Sequence, residues 1–354
     1  MRTAAFDFDI GSSRIPSDPL ELRGGRRDGA RMAVLDRNAA TITHAMFVDI
    51  YDYLRAGDLL VLNDSYVLSN SLSFLIGGEP GEVTVCGHEP DGTSMIEVEP
   101  RARAKPGLIL VSTDDGELAC TLLSRYPDQL WKARFAPAER LAPTLERFGR
   151  RTDETVSLDP EHWRREPAAY RSVYATKPGS LDIPSAGLHY SDELLGRLTD
   201  KGVEMAHVTL HVGATEILAV RHIDEERVED HEVRPEYFEV TPAAASQVSR
   251  ARAEGRRVVA VGTTVMRALE TVAQRQEAGC VLRAEAGWTD LYIYPGFRFK
   301  VVDVLLTNLH RPRSSHIVLT AAFAGKDFVM RAYAEIIEKG GYEFDMFGDS
   351  MLIL

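Results

Sequence analysis

Cysteine is scarce. The three residues, Cys86, Cys120 and Cys280, are odd in number, far apart and without CxxC spacing, which excludes a disulfide framework and a zinc knuckle and points to a reducing compartment. Long apolar runs are missing too. No stretch approaches the roughly 20 residues of a membrane span, and the opening MRTAAFDFDIGSSR sets two aspartates where a signal peptide would carry an apolar run. A cytoplasmic location is expected. Positive charge is in deficit, with 41 Lys and Arg against 53 Asp and Glu and a formal net charge of -12. Such a chain does not live by non-specific attraction to nucleic acid, which needs clustered cations. Two local clusters remain, Arg23, Arg26, Arg27 and Arg31, then Arg147, Arg150, Arg151, Arg164 and Arg165. Solvated arginines balanced by nearby acids are the simpler reading, and an RNA footprint is the alternative. No GxSxG elbow, HExxH or Cys-His arrangement stands out, so hydrolase chemistry has no positive signal.

What is present suffices for a sizeable core. The 354 residues are 44% hydrophobic and 27% charged, and that length suggests two domains. Across residues 71–135 the pattern turns to short β-type runs, LSFLI, EVTVCG, SMIEVEP, LILVS, ELACTLL and LWKARF, separated by Gly, Asp and Pro turns. Their even spacing predicts a small antiparallel barrel or sandwich. Residues 136–166, polar and Arg-rich, read as a return linker. Beyond them helices and strands alternate. Ser191 can cap a helix that carries Asp192 and Glu193 in its first turn and ends before Gly202. Residues 203–212 read as a strand, and RRVVAVG runs straight into a helix near Thr264 with Thr263 as its cap. Val329, Ala332, Tyr333, Ile336 and Ile337 recur at helical spacing, predicting a helix over 327–339 that Gly340 and Gly341 stop. The expected architecture is an α/β domain, residues 1–70 plus 155–354, interrupted by a small antiparallel β-barrel with its return linker at 71–154.

Several polar groups fall where such a fold places ligands. Alternation in VEMAHVTLHVG puts His207, Thr209 and His211 on one face. Histidines four apart along a strand are roughly 13 Å from each other, so they cannot share a metal ion. His211 is then either a cleft residue or a hydrogen-bonded structural one. Gly262, between strand and helix in VAVGTT, allows a ligand close approach to free backbone N–H groups. No Lys follows and only one Gly is present, so this is no P-loop; it fits a carboxylate, with Arg267 nearby. A plain connection with Arg267 paired to Glu270 is equally open. His189 follows the turn PSAG, where a histidine acts as acid or base or merely caps a carbonyl. Asn63 and Asp64 sit at the end of the apolar run LLVL. Asp290, Tyr294, Asp303, Asn308 and His310 surround the YPG turn and the LLTN run, and spacing does not rank them.

Six blocks in order, VLNDS (61–65), PSAGLHYS (184–191), VTLHVGA (208–214), VAVGTTVMRALET (259–271), TDLYIYPGFRFKVVDVLLTNLHRPRSS (289–315) and FGDSMLIL (347–354), resemble the S-adenosylmethionine:tRNA ribosyltransferase-isomerase family. The resemblance implies the same two-domain layout. It also implies transfer of the ribosyl group of S-adenosylmethionine to the aminomethyl group of a 7-deazaguanine in tRNA, rearrangement to an epoxycyclopentanediol, and release of adenine and methionine. A base must remove a proton beside the sulfonium and an acid must protonate the departing adenine; no metal is implied. On that footing His189, His211, Asp64 and Asp303 are candidates for proton transfer. Substrate binding is expected of Asn63, Ser185, Gly187, Gly213, Gly262, Thr263, Thr264, Arg267, Asp290, Tyr294, Asn308 and His310. His231 and Glu232 weakly match a His-Ser-Glu block of the family.

Three departures stand out. NDSYVLSNSL replaces the family's NDTRVIPARL, so Tyr66 stands for an arginine and Ser69 for a proline. RRTDETVSLDPEHW takes the place of LPPYI. Thr215, Glu216 and Ile217 stand where the family has Gly-Thr-Phe. These changes leave open a small-molecule amine or deazapurine acceptor in place of tRNA, and a catalytically silent RNA-binding protein as a third possibility.

Overall fold

Four apolar runs, Leu59–Asn63, Glu204–Leu210, Val258–Val261 and Val304–Asn308, lie side by side as parallel strands in a computed structural model. The structure describes residues 1–126, 129–151, 160–214, 222–276 and 281–354. The four strands form the centre of a nine-stranded sheet in the order Glu285–Thr289, Glu236–Val240, Glu204–Leu210, Leu59–Asn63, Val258–Val261, Val304–Asn308, Ser350–Ile353, Arg31–Asp36 and Thr41–Met46. The run LLVLN is buried at every position because both faces of a parallel sheet are covered. Leu59 and Val61 enter a core completed by the helices Pro242–Ala253, Thr263–Gln274, Ser315–Ala324 and Lys326–Lys339. Leu60 and Leu62 enter the opposite one, under Ile50, Leu194 and Leu198.

The strand Leu59–Asn63 has Glu204–Leu210 on one side and Val258–Val261 on the other. The chain goes on from Leu59–Asn63 to Glu204–Leu210 on one side and from Val258–Val261 to Val304–Asn308 on the other, so connections diverge between these two neighbours. In an open α/β sheet that opens a crevice beyond the carboxyl ends of the strands.

The six β-type runs close into a barrel in the order Trp131–Ala136, Ser94–Glu99, Glu79–His88, Ser71–Ile76, Ile109–Ser112 and Ala119–Arg125. Alternation fills its interior with Leu72, Phe74, Val83, Ile96, Leu110 and Phe135. The stretch read as a linker is partly helical: Leu141–Phe148 turns Leu141 and Leu145 into the barrel core. Ser191 caps Asp192–Asp200 by accepting from Leu194 N at 3.1 Å. The helix Lys326–Lys339 ends at Gly340, φ 70°. Thr263 is not a cap; Gly262, at φ 91°, holds that place, and Thr263 is the first helical residue. Only glycine adopts such a φ without strain. Among the described residues no helix is long and apolar enough to cross a membrane.

Glu270 ties the layers together. Its buried carboxylate accepts the backbone N–H groups of Lys300, Val301 and Val302 at 2.9–3.1 Å, which sets the entry to the strand Val304–Asn308. Glu270→Ala leaves these donors buried without an acceptor and is expected to cost about 3 kcal/mol. Urea unfolding measures it, and a loss below about 1 kcal/mol would show that the loop does not depend on this carboxylate.

Candidate active site at the carboxyl ends of the parallel strands

The crevice is built by side chains that first lock the strand ends. The Asn63 amide donates to Leu210 O at 3.0 Å and accepts from Leu210 N at 3.0 Å and from Ser65 N at 3.2 Å. Ser185 donates to the Asn308 side chain at 3.1 Å, and Thr307 Oγ1 meets His310 Nε2 at 2.9 Å. Gly187 admits no side chain, since a Cβ would fall 1.9 Å from the Tyr174 hydroxyl. These groups, with Gly262, Thr263 and Thr264 at the start of a helix, line a polar pocket. A second, more apolar pocket adjoins it, lined by Met95, Leu181, Tyr237, Trp288, Tyr292 and Leu319. The two share Val212, Thr263, Thr264 and His316, so they form one cleft.

His211 lies in the second pocket, just past the strand Glu204–Leu210. Its Nδ1 meets Ser65 Oγ at 2.8 Å, Ser65 Oγ meets Ser180 Oγ at 2.7 Å, and Ser180 accepts from Val212 N at 3.0 Å. The ring stacks on Tyr237 at 5.6 Å and lies over Gly179, where a Cβ would come within 2.7 Å of it. Burial pushes its pKa down to about 4, so at neutral pH the imidazole is uncharged. Arg267 does not pair with Glu270. It forms an ion pair with Glu236, donates to Leu291 O at 3.0 Å, and leaves Glu236 to accept Gly213 N at 2.9 Å.

One family model, described as queuosine biosynthesis protein, matches residues 3–353. The chain belongs to the queuosine biosynthesis protein family. It is similar to the S-adenosylmethionine:tRNA ribosyltransferase-isomerases of Desulfitobacterium hafniense, at 37% identity over 361 residues, and Thermotoga petrophila, at 40% over 357. Both matches cover 100% of each chain. The crystal structure of the S-adenosylmethionine tRNA ribosyltransferase from Thermotoga maritima matches 99% of this chain and 100% of that one, at a TM-score of 0.55 and 35% identity.

In this member of the queuosine biosynthesis family the cleft gathers some of the expected residues and leaves others out. Asn63, Ser185, Gly187, Gly213, Gly262, Thr263, Thr264, Arg267, Asn308, His310 and His211 line it. His189 does not. Its ring packs on Phe47 at 5.1 Å, faces the backbone at Arg27 and Gly348, and borders a separate small cavity. Asp64 is buried behind the cleft, accepting Thr209 Oγ1 at 2.6 Å, 3.9 Å from Lys177 Nζ. Asp303 lies at the opposite end of the sheet, ahead of the strand Val304–Asn308, where it accepts Val258 N at 2.8 Å. Asp290 and Tyr294 are outside the cleft; Tyr294 is exposed and packs on Tyr292 at 5.6 Å. His231 bonds Glu225 at 3.1 Å, and the buried carboxylate of its block is Glu236, not Glu232.

The first arginine cluster is internally balanced. Arg23 pairs with Glu343 at 2.8 Å, Arg26 with Asp28 at 3.0 Å and Arg27 with Glu21 at 2.5 Å, while Arg31 covers Tyr342 at 5.6 Å. In the second, Arg150 stands 3.6 Å from Asp114 and Arg151 3.8 Å from Asp182. Tyr66 recovers a guanidinium from elsewhere in the chain: Arg171 lies over its ring at 3.9 Å. Thr215, Glu216 and Ile217 fall outside the described residues.

Sequence reasoning missed Glu236, Tyr237, Trp288, His316 and, from the barrel, His88. The barrel is marked in the sequence by the spacing of its runs, and no motif marks the Gly87-His88 pair.

Burial holds His88, His189 and His211 near a pKa of about 4, below the usual 6.5, so the unfolded chain binds more protons between these values. Each therefore removes up to about 1.4 kcal/mol of stability per pH unit as pH falls from about 6.5 to about 4. Asp349, raised by burial to about 6, acts oppositely: its contribution is lost as pH rises through that value. The expected net uptake on unfolding near pH 5 is about two protons. Denaturant midpoints from pH 4.5 to 7 measure it, and a flat profile would contradict neutral buried histidines.

Proposed function

We propose that this chain is an S-adenosylmethionine-consuming transferase-isomerase that moves the ribosyl group onto the aminomethyl-deazaguanine of tRNA and rearranges it to the epoxide of epoxyqueuosine. The observation that carries the reading is the convergence, in one cleft at the strand ends, of residues from the family-like blocks of a chain whose full-length relatives are named for this reaction. The small-molecule acceptor has no support from those relatives.

The cleft has what the substrate's charges require. The sulfonium is a cation that must leave water, and the aromatic side chains of Tyr237 and Trp288 suit it. The methionine carboxylate is suited to the N-terminus of the helix Thr263–Gln274, where Gly262 allows close approach and the first N–H groups have no helical acceptor. Ser185, Asn308 and His310 offer hydroxyl, amide and imidazole groups to the ribose.

Within this reading His211 is the base. A carbon acid beside a sulfonium needs a neutral acceptor held still in a place of low dielectric, and the Ser65 and Ser180 hydroxyls fix the ring through Nδ1, leaving Nε2 for the substrate. Of the other proton-transfer candidates, Asp64 is one bond behind the cleft and is assigned a supporting part through Thr209 and Lys177. His189 and Asp303 are assigned none.

Mass spectrometry of the protein with S-adenosylmethionine, with and without tRNA carrying the aminomethyl-deazaguanine, tests the proposal. Adenine and methionine release that requires this tRNA, with a matching mass gain on the RNA, is expected; release without it would contradict the acceptor. His211→Gln should lower kcat by about 10²–10⁴-fold with a smaller change in KM.

A further inference from the structure

The cleft is not built by the α/β layers alone. Gly87, His88 and Met95, from the barrel strands Glu79–His88 and Ser94–Glu99, line the same pocket as His211. The local chain explains how His88 reaches it. The pairing register of these strands shifts between Val85 and Gly87, leaving Cys86 as an extra residue. Such a bulge turns the following side chains out of strict alternation, a device common beside active sites. The carbonyl of Cys86 then accepts Ala214 N at 2.9 Å, which fastens the barrel to the segment that follows His211.

The two histidines are anchored alike. His88 Nδ1 lies 3.0 Å from Ser94 Oγ, its directly opposed partner across the strands, as His211 Nδ1 lies 2.8 Å from Ser65 Oγ. In each ring the serine occupies Nδ1 and leaves Nε2 as the remaining polar atom. A buried histidine bonded to a serine also serves as simple barrel filling, so the role has to be decided by a proton-transfer readout.

Resting on the functional reading above, we propose that His88 is a second proton-transfer group of this site, working with His211 on the same substrate. Both rings are held uncharged by burial, with Lys177 and Glu239 as the other charged neighbours of His211. Neither histidine therefore brings a proton of its own, and the one that adenine needs must come from the substrate. His211 takes the proton from the carbon beside the sulfonium, and the C–H electron pair stays on that carbon. The bond from ribose to adenine then breaks with its pair leaving on the base. His88 receives the proton from His211 at Nε2 and delivers it to the adenine nitrogen. Both imidazoles end neutral, and no outside acid is consumed.

The test compares wild type, His88→Gln and His211→Gln with S-adenosylmethionine and tRNA carrying the aminomethyl-deazaguanine in deuterated buffer, following exchange of hydrogen beside the sulfonium and release of adenine. In H88Q, exchange is expected to persist while adenine release falls about 100-fold, with KM for S-adenosylmethionine kept within about threefold. H211Q should lose both. Adenine release in H88Q within about threefold of wild type, across pH 5.5 to 9, overturns the proposal. Should H88Q fail to fold, Ser94→Ala removes only the hydroxyl that orients the ring. A fall of about tenfold in release with exchange retained then supports the role, and full release overturns it. A wild-type protein that neither exchanges nor releases adenine sinks the functional reading itself, whereas turnover in wild type with an indifferent H88Q sinks His88 alone.

Discussion

The double-sided parallel pairing of Leu59–Asn63 is the constraint on which the cleft depends. Its backbone is bonded to Glu204–Leu210 on one side and Val258–Val261 on the other, and its apolar side chains enter both cores. That position makes its border with Val258–Val261 the point where connections diverge. The crevice opens at its carboxyl end because neither crossover closes over it. Asn63, the last residue of the strand, holds Leu210 in place with both its amide nitrogen and its amide oxygen, and His211 is the next residue along. A core strand thus fixes the position of the cleft histidine through two hydrogen bonds.

Burial does the electrostatic work. A cleft floored by fully covered strands keeps His211 and His88 uncharged, and it sets Arg267 against Glu236 so that neither charge is buried alone. The same dryness keeps the imidazole unprotonated, at the cost of basicity, and raises the value of every oriented dipole. The formal charge of -12 needs no general basic surface for this, since the cleft's selectivity is local.

Much of the fold was legible in the sequence. Six short β-type runs between Leu72 and Phe135 predicted the barrel because Gly, Asp and Pro turns separate them at even spacing. LLVLN and VVAV were legible as buried strands for another reason, having no polar face at all. Strand order was not legible, because parallel pairing joins residues as distant as Leu59 and Val258, and nothing local encodes it. The site was legible where a glycine or turn forced backbone exposure, as at Gly262. It failed where topology decided. Asp303 stands next to an informative run but at the wrong end of its strand. His189 follows a turn at the cleft yet points inward to Phe47. His88 was hidden because strict alternation had to break at Cys86 for it to reach the pocket.

The central claim is that S-adenosylmethionine binds where the barrel meets the strand ends. Of the three tryptophans, Trp288 lines this cleft while Trp131 lies in the barrel core and Trp163 packs on Tyr170. Titration with S-adenosylmethionine under tryptophan fluorescence tests the claim most directly. The account predicts a saturable change that Trp288→Phe abolishes and Trp131→Phe preserves. A signal that survives Trp288→Phe unchanged would contradict it.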